Sequence, residues 1–396
     1  MAPRPANTPA VNDEQAGKPK LFYGLGSEGM GHATRCLPLI ERLSANFEVH
    51  VFCGGRVREY MEKRLPHVWD HFFIPLVYRD NKMIPSESFK HAFARAPAAF
   101  ACAGKLAVRM LREKPVAVIT DYEFITTWMG FFTGQKVICV DNNHLIVYGA
   151  LPAPRSPDEA QEKKTVVTAT KWNVPFADVT LLTSFWQPGL MPHVSPKKVR
   201  FAPCAVRDIV LERRKTARTD GPVLVYQTSS TNHRLPAVLQ KAAAQDLSLS
   251  FAVYGSGQPA HDEEGGRISY RAFSEQGFLD DLAAAPFVIM NGGHSTIVEA
   301  LTLGKAILAE PVLAQYEQTA NALGLEALGV GRGVKQMEAE DIVSFAREAP
   351  ACRARAATLD VVDTDRLARA VEAVVQELTG YRISTGASGQ LEGRQT

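Results

Sequence analysis

The 396-residue sequence has no paired-cysteine motif, no long apolar run and no surplus of either charge. Each lack closes off a class of function. The six cysteines, Cys36, Cys53, Cys102, Cys139, Cys204 and Cys352, are scattered without a Cys-x-x-Cys spacing that would suggest a metal knuckle or redox centre. They read as reduced, mostly packed thiols of a cytoplasmic protein. No stretch approaches the roughly 18 uninterrupted apolar residues of a membrane-spanning helix. The opening residues, MAPRPANTPAVNDEQAGKPK, carry proline, asparagine and charge where a signal peptide needs an apolar segment, so residues 1–18 are expected to be a disordered leader. With 44 Lys+Arg against 42 Asp+Glu, the chain offers no basic excess to a phosphate backbone, and nucleic acid is not an expected partner.

What is present suits a large globular protein. At 46% hydrophobic and 22% charged residues the chain can build substantial cores. Its length exceeds the roughly 250 to 300 residues at which single cores stop growing, so two domains are expected. From Lys20 onward, short β-branched and aromatic runs alternate with helical patterns, the mark of an α/β protein with parallel sheets. The first series of expected strands is Lys20–Tyr23, Glu48–Cys53, Val116–Thr120 and Lys136–Val140. The second is Val223–Tyr226, Ser250–Tyr254, Ile268–Tyr270, Phe287–Met290 and Ala306–Ala309. The stretch 206–220 between them reads as a polar linker, which implies halves that move relative to one another. A last helical pattern occupies 362–380, and 381–396 reads as a disordered tail.

In open α/β sheets, ligands bind beyond the carboxyl ends of the strands. The first strand there meets Gly24-Leu25-Gly26-Ser27-Glu28-Gly29-Met30-Gly31-His32-Ala33-Thr34-Arg35, whose glycines allow close backbone approach. A dinucleotide fold would also place an acid after the second strand, where this chain has Gly54-Gly55-Arg56, so a nicotinamide cofactor is disfavoured. His32, where this loop enters a helix, is either a capping or packing residue or a general base aimed across the sheet. Other strands of the series end at Asp121-Tyr122-Glu123 and Asp141-Asn142-Asn143-His144, so Asp121, and less directly Glu123 and His144, are candidate partners on the same edge. In the second half, Asn291-Gly292-Gly293-His294-Ser295-Thr296 opens a helix whose free amides suit a diphosphate, and Glu299 lies one turn in, placed for ribose hydroxyls. The loop before the next helix offers Glu317 and Gln318 to a sugar, and Phe273 could meet a base.

On these residues the sequence resembles inverting glycosyltransferases of the two-domain, Rossmann-like GT-B architecture, in the MurG-like and UDP-glucuronosyltransferase-like group. The resemblance covers most of 19–380 and is tightest at GMGHATR (29–35), NGGHSTIVEALTLGKAIL (291–308) and QYEQTANA (315–322). It implies an acceptor-binding domain at 19–205, a nucleotide-sugar domain at 221–361, and a helix at 362–380 that returns to the first domain. The implied co-substrate is a UDP-sugar. Diphosphate binding falls on Gly292, Gly293, His294 and Ser295, ribose on Glu299, donor sugar on Glu317 and Gln318, and the base on Phe273. The resemblance makes His32 and Asp121 a candidate catalytic pair, with Gly31, Arg35, Glu123, Asn143 and His144 at the acceptor side or cleft. Asn291 stands where the retaining branch carries the first of two glutamates, which favours inversion. Asp363-Thr364-Asp365 has a metal-binding pattern but precedes a helix and reads as a cap, so no metal or other cofactor is expected.

Two rival functions share the architecture: a UDP-sugar 2-epimerase, and a non-catalytic nucleotide-sugar sensor. Between His91 and Lys114, Lys105, Arg109 and Arg112 recur at helical spacing, with Phe100, Ala103, Ala107, Met110 and Leu111 on other faces. This is either an ordinary amphipathic domain helix or one resting on anionic lipid, a peripheral contact at the inner membrane surface. Pro97 and Gly104 interrupt the pattern.

Overall fold

The computed structural model describes residues 17–227 and 232–383, so the expected leader and tail lie almost wholly outside the described residues. The first half runs β1 (Lys20–Leu25), α1 (Met30–Leu43), β2 (Glu48–Cys53), α2 (Gly55–Glu62), β3 (Val68–Asp70) and a small hairpin of β4 (Tyr78–Arg79) and β5 (Lys82–Met83). It continues through α3 (Pro85–Ala94), α4 (Ala96–Glu113), β6 (Ala117–Asp121), α5 (Phe124–Phe132), β7 (Val137–Asp141), α6 (Leu145–Tyr148), α7 (Pro157–Asn173), β8 (Val179–Thr183) and β9 (Val199–Ala202). After α8 (Asp208–Arg214), the second half runs β10 (Val223–Tyr226), α9 (Leu235–Gln245), β11 (Phe251–Tyr254), β12 (His261–Glu263), β13 (Ile268–Tyr270), α10 (Glu275–Ala284), β14 (Phe287–Met290) and α11 (His294–Thr302). Then come β15 (Ala306–Ala309), α12 (Tyr316–Leu328), β16 (Gly331–Gly333), α13 (Ala339–Ala356) and α14 (Thr364–Thr379).

Each half is built on a seven-stranded sheet, ordered β3-β2-β1-β6-β7-β8-β9 and β12-β13-β11-β10-β14-β15-β16. All pairings are parallel except β12 with β13. The central strands β6 and β7 are buried along their whole length, as parallel strands covered on both faces must be. The order reverses between β1 and β6 in one sheet and between β10 and β14 in the other. These are the crevices where loops diverge and leave room for a ligand.

Helix α14 leaves the second half and packs Leu367, Val371, Val374 and Val375 into the first, with Leu37, Ile40 and Leu43 of α1. Asp363 accepts the Arg366 amide at 2.7 Å, so the Asp-Thr-Asp triplet is a helix cap. The pattern from His91 to Lys114 is broken near Arg95 into α3 and α4, with Pro97 in the first turn of α4. In α4, Leu106 and Met110 face the core while Phe100, Val108 and Leu111 face outward.

The stretch read as a polar linker begins in apolar surroundings: Val206 and Val210 are buried in a core that joins Phe185 and Trp186 of the first half to Leu323 and Leu301 of the second. Arg207, in the same stretch, is buried and donates from Nε (2.9 Å) and Nη2 (2.6 Å) to one oxygen of Glu299, and from Nη1 to Glu275. Removing one partner of a buried pair leaves an uncompensated charge, typically at a cost of about 3–5 kcal/mol. Arg207→Ala should therefore lower the unfolding free energy by about that amount in urea titration, and adding Glu299→Gln should restore part of it. Additive losses in the double variant would show that the pair is not coupled.

Candidate active site

The carboxyl edge of the first sheet gathers its polar groups around Asp121, the last residue of β6, which has no solvent exposure. Its Oδ2 lies 2.9 Å from Nδ1 of His32 and accepts from Nε of Arg35 at 3.1 Å and from Sγ of Cys36 at 2.9 Å. Its Oδ1 accepts from Nη2 of Arg35 at 2.6 Å. Burial by itself would favour the neutral acid, but the charge of Arg35 and the hydrogen bonds from Arg35 and His32 outweigh it and hold the carboxyl well below the usual range. Asp121 is thus a permanent anion. Three of its partners come from the first two turns of α1, which is why the helix enters where it does.

The glycine tract makes this packing possible. A Cβ on Gly26 would stand 2.9 Å from the His32 ring and 3.1 Å from the Asp121 carbonyl. With Nδ1 turned toward the carboxylate, the natural tautomer carries its proton on Nδ1 and leaves Nε2 as a base. Arg35 Nη2 also lies 2.9 Å from Nδ1 but already donates to Asp121. We therefore assign the Nδ1 proton to the bond with Asp121.

Glu123 and His144 are buried and brace their own loops, and Glu123 also faces His71 at 3.3 Å. Glu123 caps α5, accepting the amides of Ile125 (2.9 Å) and Thr126 (2.7 Å). His144 pairs with Asp141 at 2.8 Å beside Cys139. Cys139, Asp141 and His144 are close enough to share a metal, as are Glu48, His50 and His67 at the other side of the sheet. Asn143, by contrast, reaches across the halves and donates to Glu317 at 3.0 Å, while Asn142 meets Asn321 at 3.3 Å.

Across the cleft, the loop after β14 turns at Gly292 (φ +91°) and feeds α11, whose N-cap Gly293 supplies no side chain to the first-turn amides. A positive φ of this kind favours glycine. Ser295 donates its hydroxyl to the Gly31 carbonyl at 2.7 Å, so the N-terminus of α11 is pressed against the residue before His32. His294 is buried beside Phe185 and Cys204. Burial, with repulsion from Arg35 beyond it, pulls its ring down to about 3, so it stays neutral, and Nδ1 has no partner.

Glu299 projects from α11 toward a cavity of ≈ 460 Å³ that is also lined by Gly31, Thr34, Arg207, Phe273 and Thr296. Burial raises its carboxyl pKa despite the pairing with Arg207, and both bonds from Arg207 fall on Oε1. Phe273 is 67% exposed, an open aromatic face in the same cavity. Gln318 is buried and holds its own loop, accepting the Val312 amide at 2.9 Å and donating to Gln315 at 2.5 Å. Arg207 and Cys36 are the members that sequence reasoning missed. Cys36 sat in view, one turn beyond His32, but an apolar helix position hides a thiol donor. No local signal ties Arg207 to a glutamate 92 positions away.

The fold and sequence resemble known proteins. An uncharacterized glycosyltransferase of Methanosarcina mazei is 24% identical over 336 residues, covering 79% of this chain and 85% of that protein. Among solved structures, a UDP-glucosyltransferase from Polygonum tinctorium superposes with a TM-score of 0.64 at 14% identity, over 93% of this chain and 100% of that one. MurG of Acinetobacter baumannii gives a TM-score of 0.58 at 15% identity, over 91% and 100%. The architecture is therefore the GT-B fold. The sequence model of glycosyl transferase family 1 matches residues 19–350, and the chain belongs to that family of glycosyltransferases.

Proposed function

We propose that the protein transfers a sugar from a UDP-sugar to an acceptor hydroxyl with inversion and without a required metal. The observation that carries this reading is the contact of Ser295 with Gly31, which holds the amide end of α11 directly against the His32 loop. A leaving diphosphate received by those amides would depart within reach of the base that activates the acceptor. His32 Nε2 takes the acceptor proton as its oxygen attacks the anomeric carbon, and Asp121 stabilises the imidazolium that forms. The bond from the sugar to the diphosphate breaks on the opposite side, and charge on the leaving group meets the α11 amides. Phe273 offers a face to the base, and the second oxygen of Glu299 to the ribose. Glu317, oriented by Asn143, faces the donor sugar, with Gln318 bracing the loop that carries it. The resemblance to a UDP-glucosyltransferase supports uracil as the base.

We further infer that the acceptor is met at a lipid surface. Phe100, Val108 and Leu111 of α4, Phe131 and Phe132 of α5, and Trp172 of α7 are between 49% and 78% exposed. The Trp128 ring lies 5.9 Å from that of Phe132 and 5.7 Å from that of Trp172, with Phe131 stacked on Phe176 at 3.9 Å. From Ser88 to Lys136 the chain has seven Lys/Arg and three acids, two of which, Asp121 and Glu123, are buried. Exposed apolar side chains on a segment with more cations than acids suit an anionic bilayer. Among the described residues no helix is long and apolar enough to cross one.

Three experiments test these readings. Glu299→Ala should weaken UDP binding by about 1–3 kcal/mol in calorimetry, the scale of a charge-assisted hydrogen bond. His32→Ala should retain UDP affinity while turnover falls by about 10²- to 10⁴-fold. Unchanged UDP affinity removes Glu299 from the donor site, and near-normal turnover returns His32 to a packing role. In flotation with anionic vesicles at low salt the protein should rise with the lipid, and Phe100→Ser with Phe132→Ser should leave it at the bottom. Wild-type protein that stays at the bottom overturns the lipid surface.

A further inference from the structure

On the face of the first sheet opposite α1, three residues unconnected with the cleft chemistry form a chain of contacts. Sγ of Cys102, on α4, lies 3.3 Å from Nδ1 of His71, and Nε2 of His71 lies 3.3 Å from Oε1 of Glu123. His71 and Glu123 are both 5% exposed, whereas Cys102 is only partly buried. The three arrive from distant parts of the chain: the end of β3, the middle of α4 and the cap of α5. A nucleophile against an imidazole whose other nitrogen faces a carboxylate is the general arrangement of an activated thiol.

We propose that Cys102 is a reactive thiolate, held as an ion pair with protonated His71, and that it is a covalent modification site for soft electrophiles. The imidazolium is the central element. Burial opposes its charge, but Glu123 on one side and Cys102 on the other stabilise it and carry its pKa up to about 10. Burial likewise opposes the thiolate, and the His71 contact together with the Phe72 amide brings Cys102 below its ordinary value. The other five cysteines are shifted upward, chiefly by burial. Cys352 is the useful comparison, because it is also partly buried but has no imidazole beside it.

The reaction is a simple displacement. With an alkylating agent, Sγ forms a bond to carbon, the bond from carbon to the leaving group breaks, and the proton of the original thiol remains on His71. With a disulfide, Sγ attacks one sulfur and the other leaves as a thiolate. An unperturbed thiol is only a few per cent ionised at pH 7, so a thiol drawn below its ordinary value by the His71 contact carries a larger thiolate fraction and reacts faster, even though a less basic thiolate is a weaker nucleophile.

The test uses the native full-length chain with limiting iodoacetamide at pH 7, and measures the labelling rate of each cysteine by mass spectrometry of its peptide. Cys102 should be alkylated at least about tenfold faster than Cys352. His71→Gln should bring it down to about the rate of Cys352, and Glu123→Gln, which keeps an acceptor at the α5 cap, should give a smaller decrease. The comparison within wild-type protein stands even where His71→Gln fails to fold. Equal rates for Cys102 and Cys352, or a Cys102 rate that neither folded variant changes, would overturn the proposal.

Discussion

The structure of the first half turns on the burial of one negative charge. Asp121 is fully enclosed at the end of a central strand, where an uncompensated carboxylate would cost several kcal/mol. Its compensation comes from His32, Arg35 and Cys36, so the start of α1 is tied to β6. The loop between β1 and α1 must then pass very close to the histidine ring, which leaves no space for a side chain at Gly26. The same cluster reaches the second half. Arg35 adds its positive charge to the burial that keeps His294 neutral.

The two halves meet through groups of opposite character. Behind the cleft they share an apolar core that includes Leu182, Phe185, Leu301 and Leu323. At the cleft they meet through hydrogen bonds of Ser295 with Gly31 and Asn143 with Glu317, and through the ion pair of Arg207 with Glu299. The apolar part is non-directional and holds the halves together, whereas the polar part can be exchanged for a ligand at small net cost. Under the proposed function, the groups that now bond across the cleft are largely those that would turn to the donor.

All nine strands expected from the apolar runs are present, with ends displaced by at most two residues. They were legible because buried parallel strands need apolar residues on both faces. Several others were not. The sequence Val-Thr-Leu-Leu-Thr of β8 alternates too weakly, β9 contains an arginine, and β16 is Gly-Arg-Gly, which is a strand only because β15 offers it an edge. The Pro97 interruption was visible, but the outward direction of Phe100 and Leu111 was not. Helical spacing says which residues share a face and leaves open which face is turned to the core.

For the site, the sequence by itself determined the chemistry available at each strand end: a histidine after a glycine tract, an aspartate ending β6, and a glycine-opened helix with a glutamate one turn in. Local composition suffices there, since turns, helix starts and strand ends are governed by neighbouring residues. Only the tertiary structure decided which groups touch. It joined His32 to Asp121, directed Glu123 to a helix cap and to His71, placed Gln318 in its own loop, and paired Glu299 with Arg207. The physical reason is that a buried charge takes whichever partner the packing brings within reach, and that choice depends on distance in space, of which the order of residues carries no record.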